Sequence, residues 1–305
     1  MGLAVSGGPD SLAMLLLAHA ANGSELAVAS VNHGLRAEAA SEVALVERLC
    51  AELGVGFTAI DVELAPGNLQ ARARDARYEA LGQWAAGNAI GAIATAHHAD
   101  DQAETLLMRL NRGSGLAGLA GVRAATTLPG REIALIRPLL GWRKAELEQI
   151  VADAGITPAS DPSNADERFD RARIRAALAE NDWLDPTALA ASAQHLSEGL
   201  RAIEWYADED WETQVFREES ENGPAFKYYA NVPRAISIET ICRIIAELGG
   251  AATRSEAGRA FDRLWRFENA SLSGVLITPS TEKIPKLGVE MRVWRFAPEP
   301  PRARH

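Results

Sequence analysis

Short apolar runs alternate with amphipathic stretches over the first hundred residues, and that alternation constrains the fold more than any other feature of the chain. Residues 3–5 (LAV), 25–32 (ELAVASVN), 57–63 (FTAIDVE) and 89–96 (AIGAIATA) have the apolar, often β-branched composition of buried parallel strands. Between them, residues 10–21, 41–53 and 70–86 carry apolar positions at helical spacing, for example Val43, Val46, Leu49 and Leu53. Strand–helix alternation of this kind predicts an α/β fold with a doubly wound, mainly parallel sheet. Ligands of such sheets bind outside the carboxyl ends of the strands, so the polar clusters at those ends are the functional candidates.

The pattern breaks after about residue 112, in the glycine-rich RGSGLAGLAG, and residues 157–170 (TPASDPSNADERFD) read as a domain boundary. Two domains are expected, 1–165 and 166–305, the second smaller and mostly helical. Its helices are predicted at 186–218, 237–248 and 255–267, with GVLITP and VEMRVWRF forming a short terminal hairpin. A net charge of −10 argues against indiscriminate nucleic-acid binding but leaves room for a locally basic face. Cys50 and Cys242 form no disulfide framework and no CxxC motif, and no apolar run reaches the ~18 residues of a membrane span. The expectation is a cytoplasmic chain with no membrane partner.

Ser6, Gly7, Gly8, Pro9, Asp10 and Ser11 (SGGPDS) follow the first strand and open the first helix. Backbone N–H groups at such a turn cradle phosphate, and the glycines permit close approach. The loop is not GxxxxGK[ST], and it carries an acid where that motif has a lysine. A carboxylate beside a triphosphate is repulsive unless a divalent cation lies between them, so Asp10 implies Mg²⁺. An ordinary glycine turn with Asp10 as a helix-start acid is the alternative.

Asn32 and His33 end the second strand with Arg36 close behind, a turn on the same edge. TAHHADDQAET (95–105) ends the fourth strand with His97 and His98, and Asp101 and Glu104 then share a helix face. Two acids on one face suit Mg²⁺ ligation or proton abstraction, whereas helix-dipole complementation explains one acid and not the cluster. Arg74, Arg77 and Tyr78 lie in LQARARDARY, and Arg171, Arg173 and Arg175 in DRARIR. Each arginine group reads alone as a solvated helix face; flanking a nucleotide loop together, they are a candidate RNA-backbone track. RGSGLAGLAG is either a plain connection or a substrate-ordered lid.

The chain resembles the PP-loop ATP pyrophosphatases, and within them the tRNA(Ile)-lysidine synthases. The resemblance rests on AVSGGPDS, VNHGLR, NLQARARDARY, TAHHADDQAETLLMRLNRGSGLAGLAG, IRPLLGWRKAEL and DPSNADERFDRARIR, in that order, over residues 3–178. It implies that ATP adenylates C2 of the wobble cytidine of tRNA(Ile) with a CAU anticodon, and that free L-lysine then displaces AMP to form lysidine. It also implies ATP and Mg²⁺ bound at the loop, with Asp10 and Asp101 holding the metal. His97, Asp101 and Glu104 would form the catalytic centre, and Arg77, Arg112 and Arg171 would bind phosphate or the adenylated intermediate. The resemblance allows a homodimer. Two other readings stay open: a PP-loop tRNA thiolase, whose chemistry calls for a reactive or cluster-binding cysteine, and a nucleotide-binding module without catalysis.

Overall fold

The computed structural model describes residues 1–23, 25–32, 39–62, 69–159, 170–284 and 288–299. The chain divides into two compact units, Met1–Ser197 and Glu198–His305.

The first unit begins with four strand–helix pairs: β1 (Gly2–Ala4), α1 (Pro9–Asn22), β2 (Ala27–Asn32), α2 (Ala39–Leu53), β3 (Gly56–Asp61), α3 (Leu69–Gly87), β4 (Ala92–Ala94) and α4 (Ala99–Asn111). Next come α5 (Leu116–Leu119), β5 (Ala125–Thr127), β6 (Ala134–Ile136), α6 (Lys144–Asp153) and α7 (Asp170–Glu180). The six strands lie in the order β3-β2-β1-β4-β6-β5, parallel except for the β5–β6 pair. The doubly wound parallel sheet expected from the alternation is therefore present.

β1 is three residues long yet central, paired with β2 on one side and β4 on the other. Its side chains alternate between two apolar layers, as strand geometry requires. Leu3 and Val5 join Leu12, Leu15, Val28, Val46, Leu147 and Val151 on one face, and Ala4 joins Leu81, Trp84, Ile93 and Leu135 on the other. Chain order reverses between β1 and β4, so the loops leaving these two strands border one crevice.

The second unit holds more sheet than its sequence suggests. The helix α8 (Pro186–Gln214) contains the divide between the units; β7 (Val215–Ser220), β8 (Gly223–Tyr229), α9 (Arg234–Glu247), α10 (Arg254–Trp265), β9 (Ala270–Leu272), β10 (Val275–Ile284) and β11 (Val289–Pro298) follow. The strands form a five-stranded antiparallel sheet in the order β7-β8-β11-β10-β9. Helix 186–218 was expected to run on to Glu218, but VFREES leaves it to pair with β8. Its alternating apolar and charged residues fit either period, and cross-strand partners decide the outcome. Phe226, Tyr228, Ile241, Phe261, Leu264, Trp294 and Phe296 form the core between this sheet and α9 and α10. The expected boundary at 165/166 lies outside the described residues, and contacts place the divide at Ser197/Glu198.

Leu3 is fully buried on the central strand. Leu3→Ala is expected to destabilise the first unit by about 2–5 kcal/mol, read as a lower urea midpoint in hydrogen exchange of β1, β2 and β4.

Candidate active site

The loop after β1 is closed by its own serines. The Ser11 hydroxyl donates to the Gly8 carbonyl at 3.0 Å and accepts the Ser6 N–H at 3.1 Å. Gly7 has φ +85°, and a Cβ there would lie 3.2 Å from the Glu42 carbonyl oxygen, so the turn requires glycine. Gly8 caps α1 and Pro9 occupies its first turn, which places Asp10 at the positive end of the helix. The first-turn N–H groups have no intrahelical partners and remain available to an anion.

Across the crevice, His98 caps α4. Its Nδ1 accepts the Asp101 N–H at 3.4 Å, and Asp101 Oδ2 accepts the His98 N–H at 3.2 Å, a reciprocal capping box. His98 Nε2 lies 3.6 Å from Asp10 Oδ2 and 3.6 Å from Asp101 Oδ2, so one buried imidazole joins the two strand ends. Burial alone would lower the His98 pKa, but the carboxylates of Asp10, Asp101 and Asp100 outweigh it and raise the value. Asp100 is in turn gripped by the Arg143 guanidinium, at 3.1 to 3.3 Å, and by the Lys144 N–H at 2.8 Å.

His97, the adjacent residue, shares Asp101 with His98 but has arginines as its other charged neighbours. Its Nδ1 lies 3.1 Å from the Thr95 hydroxyl. Burial, opposed by Asp101 and reinforced by Arg137, Arg77 and Arg74, pushes its pKa down to about 4. Successive residues at a strand end project to opposite sides, which separates the two rings. His98 therefore sits among three acids, whereas His97 lies between Asp101 and the guanidiniums. Arg77 is lowered mainly by burial, with Tyr78 opposing and Arg74 reinforcing, and Arg74 lies over the Tyr78 ring at 5.0 Å. Arg137, at the end of β6, is only 7% exposed, and its Nε has no hydrogen-bond partner.

Glu104 is 2% exposed, and arginines take up both its oxygens. Arg175 donates to Oε1 at 2.8 Å and to Oε2 at 3.2 Å, and Arg171 Nε lies 3.0 Å from Oε2. Arg171 also approaches Asp101 Oδ1 at 3.8 Å. The guanidiniums of Arg171 and Arg175 thus neutralise α4, where an RNA-backbone track was expected, and Arg173 alone of the three carries no such ion pair among the described residues. Arg112 ends α4, eleven residues beyond Asp101, or roughly 16 Å along the helix, and is not brought to the His98 end. Asn32 donates to Asp61 Oδ1 at 2.9 Å on the edge of the crevice. His33 and Arg36 lie outside the described residues.

Sequence reasoning passed over Arg137, Asp100, Arg143 and Gln102, and took His97 rather than His98 into the catalytic centre. His98 rather than His97 makes the contact with Asp10. Arg137 was hidden in the apolar run ALIRPLL, although it follows directly on a strand and faces the ligand edge by rule. Asp100 and Arg143 fasten α4 to α6. Gln102, buried in α4, accepts the Val122 N–H and donates to the Val122 carbonyl, both at 2.7 Å, and so pins the end of RGSGLAGLAG. Gly121 in that segment has φ +66° and leaves no room for a Cβ against the Gln102 amide. That stretch, read as a plain connection or a lid, carries the short helix α5 and is held by Gln102.

Fit to a divalent cation can be judged from the donors. Asp10 Oδ1 is buried and without a hydrogen-bond partner, a hard oxygen left open on the acidic side of the site. Among the described residues no group of three or more His, Cys, Asp or Glu side chains forms a ready cage. That combination suits Mg²⁺, which is held by one or two carboxylates plus substrate phosphates.

The described crevice agrees with three comparisons. The family model for the PP-loop domain (ATP_bind_3) matches residues 1–182. The tRNA(Ile)-lysidine synthase of Novosphingobium aromaticivorans is 48% identical over 83% of this chain and 77% of its own length. That of Zymomonas mobilis is 36% identical over 100% of this chain and 90% of its own. Among solved structures, the U34-tRNA thiolase NcsA from Methanococcus maripaludis superposes with a TM-score of 0.52 at 19% identity, over 65% of this chain and 70% of that one, which shows a shared fold.

Two outcomes follow from the geometry. With a folded-state pKa of about 4 against the ordinary 6.5, His97 binds fewer protons in the native than in the unfolded state between these values. It therefore contributes stability that is fully present above about pH 6.5 and is lost as pH falls toward 4; His97→Gln is expected to flatten that part of the stability–pH curve. Glu104→Gln leaves two guanidiniums against a neutral amide, and α7 amides are expected to exchange at least about ten-fold faster while β1 amides are unchanged. The PP-loop crevice and the relatives' identity over most of the chain lead to one conclusion: this protein is an enzyme of the tRNA(Ile)-lysidine synthase family.

Proposed function

We propose that the enzyme adenylates C2 of the wobble cytidine in tRNA(Ile) bearing a CAU anticodon and then joins free L-lysine at that carbon, releasing AMP and pyrophosphate. The observation that carries this reading is the lysine-free loop with Asp10 in its first turn, set against His98 and Asp101 across the switch point. A loop without the P-loop lysine suits cleavage between the α- and β-phosphates better than γ-phosphate transfer.

In the first step the cytidine C2 oxygen attacks the α-phosphorus, and the α–β bridging oxygen leaves with pyrophosphate. The N–H groups of Gly7, Gly8, Asp10 and Ser11 hold the leaving pyrophosphate at the α1 terminus. Asp10 and Asp101 would hold Mg²⁺, which supplies charge neutralisation to the phosphates when bound. His98 fixes the orientation of both carboxylates: its Nδ1 accepts the Asp101 N–H, which leaves the Nε2 proton directed at Asp10 and Asp101. Arg77 and Arg137 place positive charge beside His97 for the developing phosphate charge.

In the second step the lysine amine attacks C2, the C2–O bond breaks, and AMP departs with that oxygen. Asp101 presents the carboxylate toward which an amine is drawn, and the proton released on C–N formation leaves through it. Because both Glu104 oxygens already accept from arginines, its part is that of a fixed charge more than of a free base. Lysine, tRNA and ATP meet in the cytoplasm, and none of the described helices is long and apolar enough to cross a membrane.

The thiolase reading weakens at the cysteines. Burial pushes the Cys50 thiol up to about 11, and burial followed by Glu256 raises that of Cys242, whereas thiol chemistry relies on a lowered pKa.

With a CAU-anticodon tRNA(Ile) transcript, Mg-ATP and labelled lysine, label is expected in the RNA in step with AMP release. Sulfur incorporation, or ATP binding without AMP formation, overturns the proposal. Asp10→Asn is expected to lower AMP formation at least about 100-fold while the fold, followed by circular dichroism, stays intact.

A further inference from the structure

A column of stacked side chains in the second unit runs from the core to solvent. Phe261, 6% exposed, stacks on Trp265 with ring centres 5.3 Å apart and planes 14° from parallel. The Arg292 guanidinium lies 3.7 Å from the Trp265 ring centre and 4.9 Å from that of Phe267, and its Nη1 donates to the Trp265 carbonyl at 3.1 Å. Trp265 is 47% exposed and Phe267, the outermost member, 52%.

Phe267 is held there against its backbone preference. Its φ is +60°, and the bonds from Phe267 N–H to the Leu264 carbonyl and from Glu268 N–H to the Arg263 carbonyl close the end of α10. The left-handed residue after a helix is usually glycine, and an aromatic side chain in that region is strained. Helix termination alone would be better served by glycine, and burial does not explain a ring that stands half in water. Beside it, Arg263 and Arg266 share one acid, Glu268, at 3.7 and 3.2 Å. Asp262, paired with Arg234, also lies within Coulombic reach of Arg266, so with Arg292 the patch carries four cations to two anions, on a chain whose net charge is −10.

An open aromatic face continued by a guanidinium and rimmed with arginines has the chemistry of a platform for unpaired nucleotides. Every base offers a π-face, and phosphates complement the surplus charge. We propose that this column docks the RNA substrate: an unpaired base stacks on Phe267, and Arg263 and Arg266 meet the flanking phosphates. The inference deepens the reading of the substrate as tRNA and rests on it.

Binding of the full chain to the CAU-anticodon tRNA transcript, measured by fluorescence anisotropy without ATP or lysine, tests the platform apart from turnover. Phe267→Gly is expected to weaken binding about ten-fold or more without lowering the melting temperature, because glycine adopts this φ freely. Phe267→Tyr is expected to bind as the wild type does. Arg266→Gln is expected to lower the slope of log K against log salt by about one. Unchanged RNA affinity in Phe267→Gly, with or without a lower melting temperature, overturns the proposal and leaves the column a structural or protein-facing feature. A wild-type chain that neither binds the transcript nor incorporates lysine overturns the substrate reading as well, whereas one that does both isolates the failure to the platform.

Discussion

The contact of one buried imidazole with two carboxylates, across the line where strand order reverses, is the interaction on which the site depends. A doubly wound sheet opens a crevice at that reversal, but the crevice alone does not set the distance between the β1 loop and the β4 end. His98 does so: its ring caps α4 and reaches Asp10 and Asp101 at the same 3.6 Å. Without a shared partner, the carboxylates of Asp10, Asp100 and Asp101 would repel one another at the crevice. Their combined charge instead overcomes the desolvation of His98 and raises its pKa, so acids and imidazole sustain each other.

The remaining negative charge is balanced from two other elements. Arg143, at the start of α6, takes Asp100, while Arg171 and Arg175 of α7 take Glu104. Each pairing satisfies a carboxylate and also docks a helix, so the charge that the chemistry needs helps to assemble the walls of the site. A basic residue in the phosphate loop itself would have satisfied Asp10 within the turn, leaving no oxygen for an incoming cation. The unpartnered Oδ1 of Asp10 is the feature that a P-loop lysine would remove.

Much of this was legible because it is local. Alternating apolar runs report the sheet, and a strand followed by SGGPDS and a helix reports the anion site, since period and turn chemistry act over a few residues. What escaped was set by distant partners. Arg175 finds Glu104 across 71 positions of sequence, so an ion pair looked like a solvated arginine row. HH at the end of β4 names two candidates, but only the fold gathers Asp10, Asp100 and Asp101 around His98 and sets His97 between Asp101 and the arginines. VFREES fits a helix until β8 supplies its cross-strand neighbours, which is why the second unit's sheet was underestimated.

An acid-rich crevice on an acidic chain poses a problem for a polyanionic substrate. The carboxylates proposed to hold Mg²⁺ repel RNA phosphate at long range, and three nearby cations are already committed: Arg171 and Arg175 to Glu104, Arg143 to Asp100. Affinity for the nucleic acid then calls for surfaces whose cations are in surplus, while Arg77 and Arg137 are left for the phosphates of the reaction. Stacking eases this separation, because aromatic contact with a base does not compete with the carboxylates for positive charge. A strained phenylalanine beside arginines in surplus fits such a division of labour, since its ring offers a base a contact that needs no positive charge.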